Sequence, residues 1–488
     1  MSAKRPMSAK RAVMRLAFGV ALFIPGALLL AHAYRRAPGT ATITLDANKQ
    51  YQTIRGWEAT AEAGLDERPA ADYLEELAEA GVAMGLTRLR LEVRASYENT
   101  RDIEREYREG RIDAKAWRCQ RYSTVNDNAD PEVIDPNGFQ FARLDRTVEG
   151  IVLPFKRRVE QAGERFVLNV NYVAFTNDIC DGLRYVHDDP REYAELVVAV
   201  YRHLRDKYSL TPDRWEMALE PDNTRIWTGD LIGKAMVETA KRLQKEGFTP
   251  AFVAPSTTQA DNALRYFDEI WSHKAVRPFF RELSYHRYRN VPDGTIEDIG
   301  KEAEKRGVEA AMLEKIDAQY DELHEDLTVG RNSVWQQYVL GYPEPDSGAH
   351  YLIVAPEAPA GKRITLSRTA HYLRQYFRTI RPDARRLGAS TDNSDFQPIA
   401  VRNRNGGLAV VVATARPGEI TIQKLEPGTY RVSCWTDASR ADTPTDRCER
   451  TAEVGAGGTL AATLPGAGVL SVERHVLAGA AQTPVARP

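Results

Sequence analysis

Residues 41–54 alternate apolar and polar side chains around an Asn-containing turn, the period-two pattern of a strand hairpin. Past Gly56 the period lengthens: Tyr73, Leu74, Leu77 and Ala80 recur at helical spacing, with Pro69 opening that helix and Gly81 closing it. A strand follows at 87–92. Residues 97–138 are charged and rich in Asn, Asp and Pro, which predicts an elaborate loop region of the kind that shapes a substrate cleft. A helix over 145–162 leads to a strand at 165–172, and a helix over 191–207 leads to a fourth strand at 215–219. Further strands are expected at 251–255, 283–288 and 310–313. This repeating strand-helix order predicts an α/β fold, a (β/α)8 TIM barrel over 55–386. From 387 the helical period disappears. Short apolar runs at 399–401, 408–413, 420–422, 430–432 and 469–472, separated by Gly/Pro turns, predict an all-β side domain of sandwich type over 387–475. The early hairpin is expected to join it, and the Pro/Ala-rich end at 476–488 to be disordered.

Length agrees with two parts, since 488 residues exceed one ordinary domain. With 66 basic and 68 acidic side chains the formal charge is −2, so no basic field favours nucleic acid, and a neutral polymer suits this surface better. The N-terminus carries Lys4, Arg5, Lys10, Arg11 and Arg15, then an apolar run over 16–31, then Ala31-His32-Ala33. That order is a signal-peptide pattern with cleavage after Ala33, and retention as a membrane anchor is the rival because Arg35 and Arg36 follow at once. Either way the rest of the chain is exported, to a secreted or periplasmic location. Export permits disulfides, and the four cysteines leave none over after pairing. Cys434 and Cys448 bracket a Thr/Asp/Ser/Pro-rich stretch as a local staple, which leaves Cys119 with Cys180 between two expected barrel loops. No Cys-x-x-Cys or His-x-x-x-His spacing supports a metal site. Asn126-Asp-Asn-Ala-Asp130 has a calcium-like composition without regular EF-hand spacing, and is read as an Asx-turn loop.

Two carboxylates carry the chemistry. Glu220 and Glu314 each sit just past an apolar run and lie 94 residues apart, which suits three strand-helix repeats and puts them on the fourth and seventh barrel strands. Facing each other across the catalytic mouth, such a pair can protonate a glycosidic oxygen and attack, or activate water. His286, at an expected strand end, is placed to contact sugar or the carboxylates. Trp57 and Trp227 are candidates for stacking on a pyranose, with burial in the core as the equal alternative.

Several segments together resemble glycoside hydrolase clan A, and most of all family 30, the glucosylceramidase and glucuronoxylanase group of retaining enzymes. They are Tyr51-Gln-Thr-Ile-Arg-Gly56, Gly85-Leu-Thr-Arg-Leu-Arg90, Leu219-Glu220-Pro221-Asp222-Asn223, Ser284-Tyr-His286-Arg-Tyr288, and Glu314 with His324-Glu-Asp-Leu and Ser333-Val-Trp335, the last read as the helix after the nucleophile strand. The run over 373–388 resembles the final barrel helix entering the side domain. Family 39 shares the same clan barrel. The resemblance implies Glu220 as acid/base, Glu314 as nucleophile, Arg90 as the buried arginine that orients it, and Tyr288 as its hydroxyl donor. For Arg90 the residues also allow a structural pair with Glu92. This sequence departs from the family at Leu219, where an Asn is usual, at Gly56-Trp57-Glu58 and at Leu313. The missing Asn normally bonds the sugar 2-hydroxyl, so either the substrate carries a modified or bulkier group at C2, or another donor such as Asn169, Asn171 or Asn223 reaches it. The reading is a monomeric, cofactor-independent β-glycosidase acting on a polysaccharide or oligosaccharide. A carbohydrate-binding pseudoenzyme and a membrane-tethered exopolysaccharide assembly factor remain the alternatives.

Overall fold

The computed structural model describes residues 37–64, 73–289, 291–343, 345–439 and 448–475. The signal-like segment 1–33, Pro69 and the tail 476–488 lie outside the described residues. Strand β1 (Gly39–Thr53) runs through Ile54 and Arg55 into the first barrel strand, β2 (Gly56–Thr60). The barrel continues with β3 (Arg88–Arg94), β4 (Val167–Val173), β5 (Arg214–Glu216), β6 (Phe252–Thr257), β7 (Phe280–His286), β8 (Glu309–Glu314) and β9 (Asn332–Tyr342). All eight are parallel, and β9 closes the ring by pairing with both β8 and β2. A (β/α)8 barrel with an attached all-β sheet is therefore the architecture.

The helices that pack outside the barrel form for local reasons. In Pro190–Tyr208, Asp189 accepts from the Arg191 N–H, proline occupies the first turn, and left-handed Ser209 ends the helix. Its Leu196, Val197, Val200 and Leu204 are buried at helical spacing against the strands. This shell between strands and helices is apolar, whereas the barrel interior is polar. Arg88 joins Glu58 at 2.8 Å and Glu282 at 3.0 Å, and Arg214 joins Glu282 at 3.0 Å. Asn169 donates to Glu58 and to Glu216, each at 3.1 Å. Arg88, Arg214 and the burial they oppose leave Glu282 below the usual carboxylate range, while burial pushes Glu216 up.

Two strands, β10 (His350–Val354) and β11 (Ile364–Leu366), extend from the far end of β9 and lead to the last barrel helix, Arg368–Thr379. The side sheet then adds β12 (Arg385–Thr391), β13 (Phe396–Arg402), β14 (Leu408–Thr414), β15 (Gly418–Gln423), β16 (Gly428–Thr436), β17 (Arg450–Val454), β18 (Leu460–Leu464) and β19 (Gly468–Arg474). With β1 it is one nine-stranded sheet ordered β17-β16-β19-β14-β13-β12-β1-β15-β18. Val432 and Cys434 of β16 share one apolar cluster with Ile420 and Ile422 of β15 and Leu460 of β18. The expected sandwich is thus a single sheet curled on itself, its two flanks closing one core. Helix Arg368–Thr379 seats it on the barrel, where Gln375 accepts from the hydroxyls of Ser433 at 2.7 Å and Ser471 at 3.0 Å.

Two expectations need correction. The stretch read as a hairpin is one strand, β1, because residues on both sides of Asn48 pair with β12: Ile43 faces Thr391 and Thr53 faces Arg385. Asp46 accepts from the Asn48 N–H at 3.1 Å, so the turn chemistry makes a bulge and a register slip without reversing the chain. Ser333-Val-Trp335, read as part of a helix, lies in the closing strand β9, where Val334 and Trp335 are fully buried between neighbouring strands.

Candidate active site

Glu220 stands four residues beyond the end of β5 in the left-handed region, at φ 49° and ψ 57°, a strained conformation for a residue with a side chain. The surroundings over-determine it. Its N–H donates to Ser256 O at 3.0 Å, and Asp222 accepts from the N–H groups of Thr258 at 2.7 Å and Gln259 at 3.2 Å and from the Asn262 amide at 2.9 Å. The turn carrying Glu220 is thereby tied to the end of β6. Glu314 is the last residue of β8.

One oxygen from each carboxylate and one ring nitrogen of His286 lie within 4.8 Å of one another. Arg90, fully buried on β3, donates to Glu314 Oε2, to Leu313 O at 3.3 Å and to Thr60 Oγ1 at 3.0 Å, and stands 4.0 Å from Glu216. Tyr288 donates its hydroxyl to Glu314 Oε1 at 2.9 Å. His286 Nδ1 is 3.1 Å from Glu220 Oε1. Asn223 Nδ2 reaches Glu220 Oε2 at 3.5 Å, the far edge of a hydrogen bond. The two glutamates therefore have different environments: Glu314 faces a fixed cation and a phenol, Glu220 an imidazole and an amide.

Electrostatics follow the same division. Burial opposes a charged imidazole, yet the neighbouring carboxylates Glu314 and Glu220 prevail and hold His286 above its usual range. Burial, reinforced by the Glu314 charge, pushes the Tyr288 phenol up, so it stays a hydrogen-bond donor. For Arg90 the charges of Glu314 and Glu216 outweigh burial and raise its pKa, which keeps the guanidinium charged. Two carboxylates and an imidazole this close are a donor set that can hold a cation. The Arg90 guanidinium on Glu314 works against that by placing a permanent positive charge at the same carboxylate.

The remaining expected residues are placed differently. Trp57 is fully buried outside the barrel ring, its indole N–H donating to Ile380 O at 2.8 Å and its ring stacked on Phe377 at 4.6 Å. Trp227 is 1% exposed, donates to the Tyr185 hydroxyl at 2.8 Å and packs edge-on against Tyr172 and Tyr193. Neither indole offers a face to a sugar, because both rings complete the apolar shell. Leu219, 6% exposed, packs with Tyr122, Val173, Phe175 and Ile179, an apolar cluster assembled from the loops after β3 and β4. Asn169 is committed to Glu58 and Glu216, whereas Asn171, two residues further along β4 on the same side, is fully buried with neither amide atom partnered. Cys119 and Cys180 are bonded with Cα atoms 5.0 Å apart, and Cys434 and Cys448 with Cα atoms 5.4 Å apart. The first bond ties the loop after β3 to the loop after β4, beside the Leu219 cluster.

Tyr338 of β9 also reaches this group, its ring 5.9 Å from the Arg90 guanidinium and its phenol raised by burial and the Glu314 charge. Sequence reasoning missed it together with β9. Gln336 and Gln337 are successive polar residues that continue the buried run of Val334 and Trp335, so no period-two alternation marks the strand.

No family model and no curated protein matches this sequence. Solved structures do match. The catalytic domain of GH30 xylanase C from Talaromyces cellulolyticus is 13% identical with a TM-score of 0.62, over 89% of this chain and 100% of that one. A GH30 endoxylanase from Clostridium papyrosolvens is 15% identical with a TM-score of 0.61, over 90% and 100%. An endo-β1,6-glucanase is 14% identical with a TM-score of 0.59, over 89% and 94%. At these identities the resemblance to glycoside hydrolase family 30 and its clan is one of fold, spanning barrel and side sheet together.

Proposed function

We propose that this chain is an exported, retaining β-glycoside hydrolase that cleaves a polysaccharide or oligosaccharide by double displacement. The observation that carries the reading is the convergence of Glu220 and Glu314 to within 4.8 Å, with Arg90 and Tyr288 committed to one and His286 to the other. An approach this close between one oxygen of each carboxylate supports retention, whose pairs stand ~5 to 5.5 Å apart, over inversion, whose pairs leave ~6.5 to 9.5 Å for an intervening water.

Glu314, oriented by Arg90 and Tyr288, attacks the anomeric carbon. Glu220 gives its proton to the departing glycosidic oxygen, with His286 Nδ1 fixing the carboxyl and standing beside it as a second proton holder. The ester removes one negative charge from the pocket. Glu220 then takes a proton from water, and the resulting hydroxide releases the sugar from Glu314. No cofactor takes part in these steps. Substrate class follows from fold relatives described as xylanases and a β1,6-glucanase, and a β-linked polymer suits the near-neutral surface. Export is supported by two disulfides, which persist in oxidising compartments. Among the described residues no helix is long and apolar enough to cross a membrane.

Glu314→Ala should abolish release of reducing sugar from xylans, β-glucans or bacterial exopolysaccharides, and azide or formate should restore part of it. Full activity in that variant would refute the assignment. The second reading, a protein that binds carbohydrate without cutting it, is favoured by Leu219, which offers no side-chain donor at its position. Saturable polysaccharide binding by the wild type with no turnover on any substrate would select it.

A further inference from the structure

Among the described residues, the carboxylate of Glu92 makes no hydrogen bond and no salt bridge, although it is half-buried at the mouth of the barrel. Along β3 the side chains of Arg88, Arg90 and Glu92 share the inner face, because Leu89, Leu91 and Val93 belong to the apolar shell outside. Arg88 lies deepest, tied to Glu58 and Glu282, Arg90 follows at the level of Glu314, and Glu92 comes one step nearer the mouth. In register with Glu92 on β4 is Asn171, so the two side chains point to the same side. The Asn171 amide is fully buried with its oxygen and its nitrogen both unpartnered, which is rare inside a protein unless a ligand completes the pairing. Tyr338 of β9 adjoins them. Its ring lies 5.9 Å from the Arg90 guanidinium, and its phenol is raised by burial and then by the charges of Glu314 and Glu92. The Tyr338 hydroxyl also has no hydrogen-bond partner among the described residues.

Charge decides what this layer can accept. Glu314 has the Arg90 guanidinium, and Glu220 has His286 at 3.1 Å. The arginines nearer the rim are engaged as well, Arg94 with Glu104, Arg121 with Asp178 at 2.6 Å and Arg143 with Glu62 at 3.4 Å. None of these cations is free to receive an acidic sugar, whereas Glu92 remains an acceptor without a donor. A sugar hydroxyl would satisfy its hydrogen bonding but leave the charge of a half-buried carboxylate uncompensated. An ammonium does both, since it brings three N–H donors, a positive charge and no lone pair.

On the hydrolase reading of this site, we propose that Glu92, with Asn171 and Tyr338, determines specificity and takes a sugar unit bearing a free amino group. The substrate is then a cationic β-linked polymer or oligomer of unacetylated amino sugar. The ammonium donates to the Glu92 oxygens and to Asn171 Oδ1, while Asn171 Nδ2 and the Tyr338 hydroxyl donate to hydroxyls of the same ring. Acetylation of the amine removes the positive charge and leaves Glu92 unpaired, so acetylated units are disfavoured. Selection acts through the charge of the mouth and not through the near-neutral surface as a whole.

The test uses the full chain with its disulfides intact and matched aryl β-glycosides of the gluco and galacto series, each carrying a 2-amino, a 2-acetamido or a 2-hydroxy group. Wild-type kcat/KM should be roughly tenfold or more higher on a 2-amino glycoside than on its two counterparts, and that advantage should shrink as NaCl rises. Glu92→Gln keeps the shape of the side chain and breaks no hydrogen bond or salt bridge. It should lower kcat/KM on the 2-amino substrate roughly 10- to 150-fold and collapse the ratio to the 2-hydroxy substrate. Equal or better cleavage of the 2-hydroxy glycosides by the wild type, or an equal loss on both substrates in Glu92→Gln, would overturn the proposal and assign Glu92 to sugar hydroxyls. Turnover of xylans or β-glucans that depends on Glu314, with none on the amino glycosides, would sink the amino-sugar assignment and leave the hydrolase reading standing. If no substrate is turned over, the hydrolase reading fails and calorimetry with glucosamine oligomers decides the rest. Saturable binding that Glu92→Gln loses upholds an amino-sugar site, and absent binding, or binding that the variant keeps, overturns it.

Discussion

Arg90→Met tests the pairing on which the site depends. Methionine keeps most of the volume and apolar contact but removes every donor that Arg90 directs at Glu314, Leu313 and Thr60. Glu314 is 6% exposed, so it would be left as a buried carboxylate held only by the Tyr288 hydroxyl. Breaking a buried ion pair from one side costs about 3 to 5 kcal/mol, because the remaining charge is uncompensated. That penalty belongs to the charged carboxylate and should therefore be smaller at pH 5 than at pH 8. Adding Glu314→Gln removes the orphan charge and should recover about 1 to 3 kcal/mol of the loss, so the two substitutions are non-additive. Urea unfolding of the wild type, both single variants and the double variant at the two pH values gives all the terms. A loss in Arg90→Met below about 1 kcal/mol, the typical net worth of an ordinary hydrogen bond, or an equal loss with and without Glu314→Gln, would show that Arg90 serves Glu216 or the barrel wall and not the nucleophile.

Other outcomes follow from the same geometry. Tyr288→Phe removes a hydrogen bond to a charged group, worth about 1.5 to 3 kcal/mol, and should lower kcat/KM roughly 10- to 150-fold; an unchanged value would separate Tyr288 from catalysis. Product released from a β-linked substrate should appear first as the β-anomer by NMR, and an initial α-anomer would mean inversion. Replacing Cys434 and Cys448 together by Ala opens a loop of sequence separation 14 and should cost about 3 kcal/mol in denaturant unfolding. Unaltered stability would mean the side sheet holds without the staple. Asn171→Ala should cost about 1 to 3 kcal/mol in kcat/KM if its unpartnered amide meets a sugar hydroxyl, and nothing if the 2-position is not read there.

What was legible in the sequence depended on whether a residue's role is local. Glu220 and Glu314 could be placed on barrel strands because strand-helix repeats have a characteristic length, and those strands are bounded by turn residues. Tyr288 and Arg90 came from resemblance, since nothing in a period-two pattern says which inward side chain meets which across a barrel. The network of Glu58, Arg88, Glu216 and Glu282 was invisible for the same reason: in sequence each is a charged residue within an apolar strand, and only ring closure makes them neighbours. Strand β9 was lost because Val334 and Trp335 are buried on both faces and leave no clear alternation. Trp57 and Trp227 could not be assigned between sugar and core because the bulk that suits an aromatic ring to the one suits it equally to the other, and burial selects the core. Asn126-Asp-Asn-Ala-Asp130 was read by composition alone, and Glu192, which accepts from the Asn126 amide, comes from a helix more than sixty residues away in the chain.

The position of β1 in the middle of the side sheet, between β12 and β15, limits how this protein can be cut or recombined. The strand that enters the barrel pairs with the strand that leaves it, so the chain passes through the sheet before the barrel begins and again after it ends. A fragment ending near residue 386 would strip both neighbours from β1 and expose its hydrogen-bonding edges, and a fragment beginning there would leave a gap within the sheet. The side sheet is therefore not a transferable cassette. Barrel and sheet should unfold in one calorimetric transition, and a functional split of the polypeptide belongs at a surface loop inside the barrel and not at the boundary between its two architectures.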